Sequence, residues 1–149
     1  MTGPLFVYGT LRDPDMLAVV LGRRVDAAAM RPAAAPGFVA LHYPGRAYPA
    51  LLRRPGGVAE GLVLMGLTPF ERDLLDAFEG DEYRRTLIAV MVEAELHEAW
   101  AYLPVVSVAP QSPQWSLAHW QKVHKPGALA AGRATIGQLR AKLIAIRPH

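Results

Sequence analysis

Two helix-start signals, each preceded by an apolar segment of strand length, constrain the fold of this 149-residue chain more than any other feature. In the first, the apolar run 5–8 stops at Gly9, which favours a buried strand that ends in a tight loop. Asp13 can then cap a helix whose first residue is Pro14, and Gly22 is suited to end it. This segment therefore predicts a strand, a glycine loop and a short capped helix.

The second signal follows a predicted strand at residues 58–67. Residues 68–71, with the sequence TPFE, have the spacing of a capping box with proline at the first helical position. The helix that follows has an apolar face formed by Phe70, Leu74, Leu75 and Phe78. Gly80 is placed to end this helix in the left-handed conformation, so that Glu79 lies in its last turn.

The other segments of the first hundred residues predict further strands. Short strands are expected at 38–41 and 50–53, and two long strands at 86–93 and 98–103. We expect the last two to form a hairpin with a tight turn near Leu96 and His97. The region 32–57 is dense in proline and glycine, so we expect it to consist mainly of loops around its short strands.

Two helices are predicted near the C-terminus. Ser116 is a suitable cap for a short helix that carries Leu117, Trp120 and Val123. An amphipathic helix follows, with an apolar stripe formed by Ile136, Leu139, Leu143 and Ile146. Because no change in composition marks a second domain, residues 1–149 are expected to form one α+β domain, in which residues 105–149 are a helical C-terminal extension.

Composition and charge exclude several classes of function. Cysteine is absent, which removes disulfides, thiolate catalysis and Cys-based zinc sites, and which fits a reducing cytoplasm. The net charge is +3 and the pI is near 9.5, but the basic residues are scattered, so we expect no nucleic-acid binding. No apolar run approaches the ~20 residues of a membrane span, and the N-terminus lacks the basic region of a secretory signal. We therefore expect a cytoplasmic protein that does not bind membranes.

Metal and nucleophile motifs are also missing from the sequence. The five histidines show neither the HxH nor the HExxH spacing of metal ligands, so no metal site is assigned. No GxSxG elbow is present, and Thr10 has no partnered base nearby in the sequence. A nucleophilic hydrolase is therefore disfavoured.

Glu79 is the first candidate for a catalytic residue. The carbonyl end of a helix carries partial negative charge and is an unfavourable place for a carboxylate. If this end is buried as well, the pKa of Glu79 rises from about 4.3 toward the operating pH, as a general acid/base requires. The alternative is an exposed carboxylate in a frayed last turn, with Arg72 or Arg84 as a loose partner, and local physics alone favours that alternative.

Two further groups of residues accompany Glu79. The loop formed by Tyr8, Gly9, Thr10 and Leu11 joins a strand to a capped helix, and backbone N–H groups of such loops can hold a carboxylate or an oxyanion. Tyr83 and Arg85 are two residues apart at the start of a strand and so project to the same face. On spacing alone, purely structural roles are favoured for both groups: a loop that turns the chain, and a packing tyrosine beside a surface arginine.

Taken together, FVYGTLR at residues 6–12 and LLDAFEGDEYRR at residues 74–85 resemble the two signature segments of the gamma-glutamyl cyclotransferase superfamily. The resemblance is nearest to its gamma-glutamylamine cyclotransferase-like branch. It covers roughly the first hundred residues and includes a Tyr-Pro-Ala segment at 48–50. It implies a compact, strongly curved, mixed β-barrel-like sheet flanked by helices, with a pocket between the YGTL loop and the helix that ends in the glutamate.

The resemblance also implies an activity and roles for the candidate residues. The enzyme would cyclise a small gamma-glutamyl amine or peptide to 5-oxoproline and release the amine, without cofactor or metal. Glu79 would be the general acid/base, the amides of residues 8–11 would bind the glutamyl group, and Tyr83 and Arg85 would support the site. The alternatives are a catalytically silent binding protein of the same fold and a basic adaptor that uses its C-terminal helix as an interface.

Overall fold

A computed structural model describes residues 3–146, and within them five strands close into a barrel that four helices accompany. The strands are β1 (Leu5–Val7), β2 (Met30–His42), β3 (Pro49–Leu64), β4 (Tyr83–Val92) and β5 (Glu95–Pro104). The helices are α1 (Pro14–Leu21), α2 (Pro69–Glu79), α3 (Leu117–Val123) and α4 (Lys125–Ile146). Short 3-10 turns cover Thr10–Arg12, Ala27–Ala29 and Gly80–Glu82. The expected α+β fold with a barrel-like sheet is confirmed.

Strand β1 closes the barrel although it has only three residues. It pairs antiparallel with β3, where Leu5 lies opposite Leu64, and parallel with β5, where Leu5 lies opposite Trp100. The rest of the sheet is antiparallel, with β2 between β3 and β4, and β4 beside β5. Each strand therefore has two neighbours, and β1 delivers the loop that follows it to one end of the barrel.

The region 32–57 differs from expectation, because it forms much of the long β2–β3 hairpin instead of loops around short strands. The strand register shifts between Pro36 and Phe38, where Gly37 has a φ of 81°. On β3 the pairing omits residues 54–57 at the same point. Several of the prolines and glycines that suggested loops thus lie at a β-bulge, where no ladder hydrogen bond is required.

The β4–β5 hairpin is confirmed, but its turn lies at Glu93 and Ala94 and not near Leu96 and His97. Both turn residues have positive φ, 50° and 65°, which is the backbone pattern of a two-residue hairpin loop. This turn usually contains Asn or Gly. Since neither residue is present, the sequence has no turn signal at the correct position.

Helix α2 begins as expected and ends with a small difference. Thr68 and Glu71 form the reciprocal capping box: each backbone N–H is accepted by the other side chain, at 2.9 and 3.1 Å. Gly80 has the expected positive φ of 65°, but its ψ of −154° lies outside the left-handed helical region. The difference arises because the chain passes directly from α2 into the turn Gly80–Glu82 and then into β4.

The C-terminal helices pack on the rest of the domain mainly as expected. The Ser116 hydroxyl caps α3 by accepting the N–H of His119 at 3.2 Å. On α4, Ile136 is buried, and Leu139 and Leu143 pack against the main core. Ile146 is 76% exposed, so the predicted apolar stripe is wrong at its last position, where α4 ends. No helix within residues 3–146 combines the length and apolarity needed to cross a bilayer.

Asp13 connects the start of α1 to the α3–α4 junction. One of its carboxylate oxygens caps α1 as expected, and the other accepts hydrogen bonds from Gln121 at 2.9 Å and contacts Lys125 at 2.8 Å. The carboxylate is fully buried. Burial opposes its ionisation, but the hydrogen bonds from Lys125 and Gln121 outweigh this and hold the pKa of Asp13 below its usual value.

Replacement of Lys125 by Met is expected to lower the free energy of unfolding by about 2 kcal/mol at neutral pH, because it leaves a buried carboxylate with less compensation. The pKa of Asp13 is lowered by folding, so the lost stabilisation exists only above the unfolded pKa and disappears as the pH falls below about 4. Urea unfolding at neutral and acidic pH measures both effects. The Lys122→Met variant, altered at an exposed position on α3, is the matched control and should unfold like the parent. An equal loss in both variants would contradict the role assigned to Asp13.

Candidate functional site

A cavity of about 580 Å³ lies where the end of β1, the end of α2 and helices α3 and α4 meet. Its volume is within the range of roughly 300–1,000 Å³ that is typical of sites for small molecules. Six of the seven residues selected from the sequence line it, namely Tyr8, Gly9, Thr10, Leu11, Glu79 and Tyr83. Arg85 does not line the cavity.

Glu79 is the last residue of α2 and is half-buried in the cavity wall. Within residues 3–146, no group donates a hydrogen bond to its carboxylate. Loss of hydration, followed by the nearby carboxylates of Glu82 and Asp76, raises the pKa of Glu79 from 4.5 to about 8. Its carboxyl group thus has free oxygens and a pKa close to neutrality, the combination that proton transfer in both directions requires.

The loop after β1 lines the cavity with a tightly packed backbone. A Cβ atom on Gly9 would lie only 2.7 Å from Cγ of Pro49, so the loop can approach β3 only with glycine at this position. In the turn that follows, the carbonyl groups of Gly9 and Thr10 accept the N–H groups of Arg12 and Asp13, each at 3.0 Å. The N–H groups of Thr10 and Leu11 have no acceptor among the described residues, so they are available to a ligand.

Two tyrosines hold the cavity walls together. The hydroxyl of Tyr8 donates a hydrogen bond to the carbonyl of Tyr102, and that of Tyr83 donates to the carbonyl of Pro49 at 2.6 Å. Burial is the main cause that raises the pKa of both phenols above the usual value, so both remain protonated donors. Since both hydroxyls are engaged with backbone carbonyls, these residues fix the shape of the cavity.

Arg85 lies outside the cavity and is linked to it through Asp76 and Tyr102. Its guanidinium binds Oδ2 of Asp76 at 3.0 Å, and the other oxygen of Asp76 accepts the hydroxyl of Tyr102 at 2.6 Å. Tyr102 lines the cavity. Arg85 is partly exposed and lies on the same outward-facing side of β4 as Leu87 and Ala89.

A polar cluster that the sequence did not indicate lies beside Glu79. Glu82 lines the cavity, and its carboxylate accepts the hydroxyl of Tyr48 at 2.6 Å and contacts Arg46 at 3.3 Å. Burial and the bond to Glu82 raise the pKa of Tyr48 to about 12. The available signal was the Tyr-Pro-Ala segment at 48–50, but its pairing with a residue 34 positions away is not visible in the sequence.

The C-terminal helices provide a part of the cavity whose individual residues the sequence did not identify. The wall residues from α3, α4 and their junction are Trp120, Val123, His124, Gly127, Ala128 and Ala131. Their spacing is that of ordinary core and surface positions of a helix, so it carried no signal. Among the described residues, no group of three or more His, Asp and Glu side chains has the arrangement of a metal site.

Comparison with known proteins finds a matching family model, relatives of similar sequence and solved structures of similar fold. The sequence matches the family model "Gamma-glutamyl cyclotransferase, AIG2-like" over residues 5–135. AIG2-like protein A of Arabidopsis thaliana is 34% identical over 124 residues, which cover 81% of this chain and 73% of the relative. A solution structure of an Arabidopsis thaliana protein, 29% identical, has a TM-score of 0.65 and covers 98% of this chain and 94% of that one. A structure described as a gamma-glutamyl cyclotransferase covers 98% of this chain and 88% of its own at a TM-score of 0.57, and with 16% identity it shows a shared fold.

Proposed function

The chain belongs to the gamma-glutamyl cyclotransferase, AIG2-like family, and from this premise we propose that it cyclises gamma-glutamyl amines or peptides to 5-oxoproline. The observation that carries the proposal is Glu79, a carboxylate with a raised pKa to which no described residue donates a hydrogen bond, in the wall of a cavity of substrate size. A structural carboxylate in this position would have a partner, as Asp13 and Glu71 have.

The reaction needs only one proton-transferring group, because the nucleophile belongs to the substrate. The α-amine of the glutamyl group attacks its own γ-carbonyl and forms a five-membered lactam, while the γ-amide bond breaks. The attacking nitrogen loses two protons and the leaving nitrogen gains two, so the amine departs as an ammonium ion. Glu79 takes the two protons from the α-nitrogen one after the other and delivers each to the leaving nitrogen.

The loop at residues 8–11 is suited to the charges of the glutamyl group. The unengaged N–H groups of Thr10 and Leu11 can bind the α-carboxylate or the oxyanion that forms at the γ-carbonyl. Gly9 brings this loop against β3, and Tyr83 fixes the same strand through Pro49. These contacts fix the shape of the cavity before the substrate binds. A cavity of fixed shape can hold the substrate in the conformer in which its α-amine reaches its own γ-carbonyl.

The direct test is release of 5-oxoproline from a panel of gamma-glutamyl compounds. The panel contains glutathione, several gamma-glutamyl amino acids, a gamma-glutamyl-lysine isopeptide and simple gamma-glutamyl amides. We expect turnover of at least one class without added cofactor. If no compound releases 5-oxoproline, the proposed activity is wrong and the catalytically silent alternative becomes the better interpretation.

The pH dependence of kcat/KM provides a second prediction. Glu79 must be ionised in the free enzyme to accept a proton, and its ionised fraction grows as the pH rises toward a pKa of about 8. We therefore expect kcat/KM to rise by about tenfold per pH unit below this value and to level off above it. Initial rates at low substrate concentration from about pH 6 to pH 9 measure the curve. A profile that is flat over this range would contradict the raised pKa of Glu79.

A further inference from the structure

A second hollow lies beside the cavity, between the β2–β3 loop (residues 43–48) and the segment that precedes α3. Its volume is about 430 Å³. Four of the side chains that line it are basic or carry a hydroxyl group, namely His42, Arg46, Ser112 and His124. Among the described residues, no carboxylate lines this hollow. The hollow therefore has the composition of a site for an anion.

The polar groups of these four side chains are largely unpaired. Arg46 uses only Nε in its contacts, and its two terminal nitrogens meet no acceptor among residues 3–146. The hydroxyl of Ser112 and the ring nitrogens of His124 also lack a hydrogen-bond partner among the described residues. The ring of His42 reaches the carbonyl of Arg46 only at 3.5 Å. Donors that converge on one hollow and remain unpaired within the protein point to a ligand.

The walls of the hollow are fixed by hydrogen bonds to the backbone. The N–H of His42 donates to the carbonyl of Pro113 at 2.9 Å, and the indole of Trp115 donates to the carbonyl of Ala47 at 2.7 Å. These bonds fasten the segment before α3 to both sides of the β2–β3 loop. Gly45 in this loop has a φ of 72°, and the N–H groups of Gly45 and Ala47 have no acceptor among the described residues. The loop therefore offers backbone donors as well.

The origin of the donors indicates the kind of anion. They come from three separate parts of the chain: the end of β2 with its loop, the segment before α3, and the α3–α4 junction. A carboxylate has two oxygens in one plane, whereas a phosphate group is tetrahedral and has three strong acceptor oxygens. The guanidinium of Arg46 can bind phosphate through two parallel hydrogen bonds. Donors from three sides thus favour phosphate over a carboxylate.

Arg46 connects this hollow to the cavity. Its Nε lies 2.9 Å from the hydroxyl oxygen of Tyr48 and 3.3 Å from Oε1 of Glu82, and both of these residues line the cavity. His124 lines both spaces. An anion bound by Arg46 and His124 would therefore add negative charge close to the carboxylates of Glu82 and Glu79.

We propose that the hollow lined by His42, Arg46, Ser112 and His124 binds phosphate, either free or as the phosphate group of a small metabolite, and that the bound anion slows the reaction in the neighbouring cavity. The binding does not depend on the proposed cyclisation, whereas the effect on the rate rests on it. The added negative charge opposes ionisation of Glu79, which must be ionised before it can accept a proton from the substrate.

The other ionisable groups near Glu79 do not connect it to the hollow. They are the carboxylate of Asp76 and the phenols of Tyr8, Tyr83 and Tyr102. None of these four residues lines the hollow. The effect of the anion on Glu79 is therefore transmitted by His124 and by Arg46 with its partner Glu82.

An NMR titration of the full chain with sodium phosphate tests the binding site. We expect the ring signals of His42 and His124 to shift until they saturate, whereas the signals of His97, on β5, stay in place. Glycerol 3-phosphate, titrated in parallel, shows whether a free or an esterified phosphate binds more tightly. Acetate at the same ionic strength should bind about tenfold more weakly. Equal affinity for acetate, or shifts that do not saturate, would overturn the proposal.

Arg46→Met should weaken phosphate binding by about tenfold or more, because it removes the guanidinium from the hollow. Arg46→Lys keeps a charge and should recover part of the affinity. Arg133→Met, altered at an exposed arginine of α4 that lines neither space, is the matched control and should bind phosphate like the parent. If Arg46→Met binds phosphate as tightly as the parent, the site is assigned to the wrong residues.

The rate measurement tests the connection to the cavity. At constant ionic strength and near pH 7, saturating phosphate should lower kcat/KM for 5-oxoproline release by about threefold, equivalent to about half a unit in the pKa of the proton acceptor. The effect should disappear in Arg46→Met. A rate that does not change while phosphate is bound would overturn the connection. If no gamma-glutamyl compound releases 5-oxoproline, the proposed function fails, and the titration still decides whether the phosphate site exists.

Discussion

Replacement of Glu79 by Gln is expected to lower the rate of 5-oxoproline release by about 10²- to 10⁴-fold. Gln keeps the shape of the side chain but can neither accept the proton of the α-ammonium group nor return one to the leaving nitrogen. Substrate binding should persist, because the residues of the loop at 8–11 are untouched. Single-turnover rates together with calorimetric binding of a substrate measure the two quantities separately.

The same substitution should stabilise the protein, and this effect has a definite pH dependence. Folding raises the pKa of Glu79 from 4.5 to about 8, so the folded state disfavours the ionised form. Glu79 is neutral in both states below about pH 4.5, and its cost to stability grows as the pH rises from there to about 8 and then stays constant. Glu79→Gln removes this cost. Its gain in unfolding free energy should thus be absent at acidic pH and largest in mildly alkaline solution.

Asp81→Asn is the matched control for both measurements, because Asp81 is an exposed carboxylate two residues further along the chain. We expect it to retain activity and to show the stability of the parent at every pH. Loss of activity in Glu79→Gln without any gain in stability would contradict the desolvated environment assigned to Glu79. An equally active Glu79→Gln variant would falsify the mechanism.

The second large effect is expected for Gly61→Ala in β3. A Cβ atom there would overlap the carbonyl oxygen of Val7 and lie 2.8 Å from two ring atoms of Phe6. Both neighbours belong to β1, the short strand that closes the barrel, so neither can move without disturbing the closure. We expect a loss of about 3 kcal/mol in the free energy of unfolding, measured by urea denaturation. Cyclisation should weaken as well, since β1 leads directly into the cavity loop.

Gly137→Ala distinguishes this steric effect from a general effect of adding a methyl group. Gly137 lies in the exposed part of α4, and a Cβ atom there meets nothing within 4 Å. Because alanine favours a helix over glycine, this variant should be more stable by about 0.5–1 kcal/mol. If Gly61→Ala were as stable as the parent, the close contact between β1 and β3 would be wrong.

Features that depend on neighbouring residues in the chain were predictable from the sequence. The caps at Asp13, Thr68 and Ser116 and the helices they begin are all confirmed, because a capping residue acts within one turn of its helix. Features that depend on tertiary packing were not. The bulge at Gly37 and the turn at Glu93 and Ala94 are set by the register of the paired strands, which composition does not encode.

The residues of the candidate site also fall into a group that the sequence predicted and a group that it did not. The grouping of Glu79 with the loop at 8–11 and Tyr83 followed from two sequence motifs, and the structure places them in one cavity. The expected position of Arg85 in the site followed from strand alternation, but in the structure Arg85 acts through Asp76 from outside the cavity. The contributions of Glu82 and of the C-terminal helices required knowledge of distant contacts, which a single sequence does not contain.

The buried link between Asp13 and the α3–α4 junction has a consequence for the engineering of proteins of this family. The residues proposed to bind and cyclise the glutamyl group lie between residues 8 and 83, whereas the cavity wall formed by α3 and α4 begins at Trp120, so the two sides of the cavity belong to separate parts of the chain. A C-terminal segment from a relative could therefore be exchanged as a cassette to alter substrate preference. Such a graft must keep Gln121 and Lys125, since these two residues dock the segment onto the helix cap that follows the cavity loop.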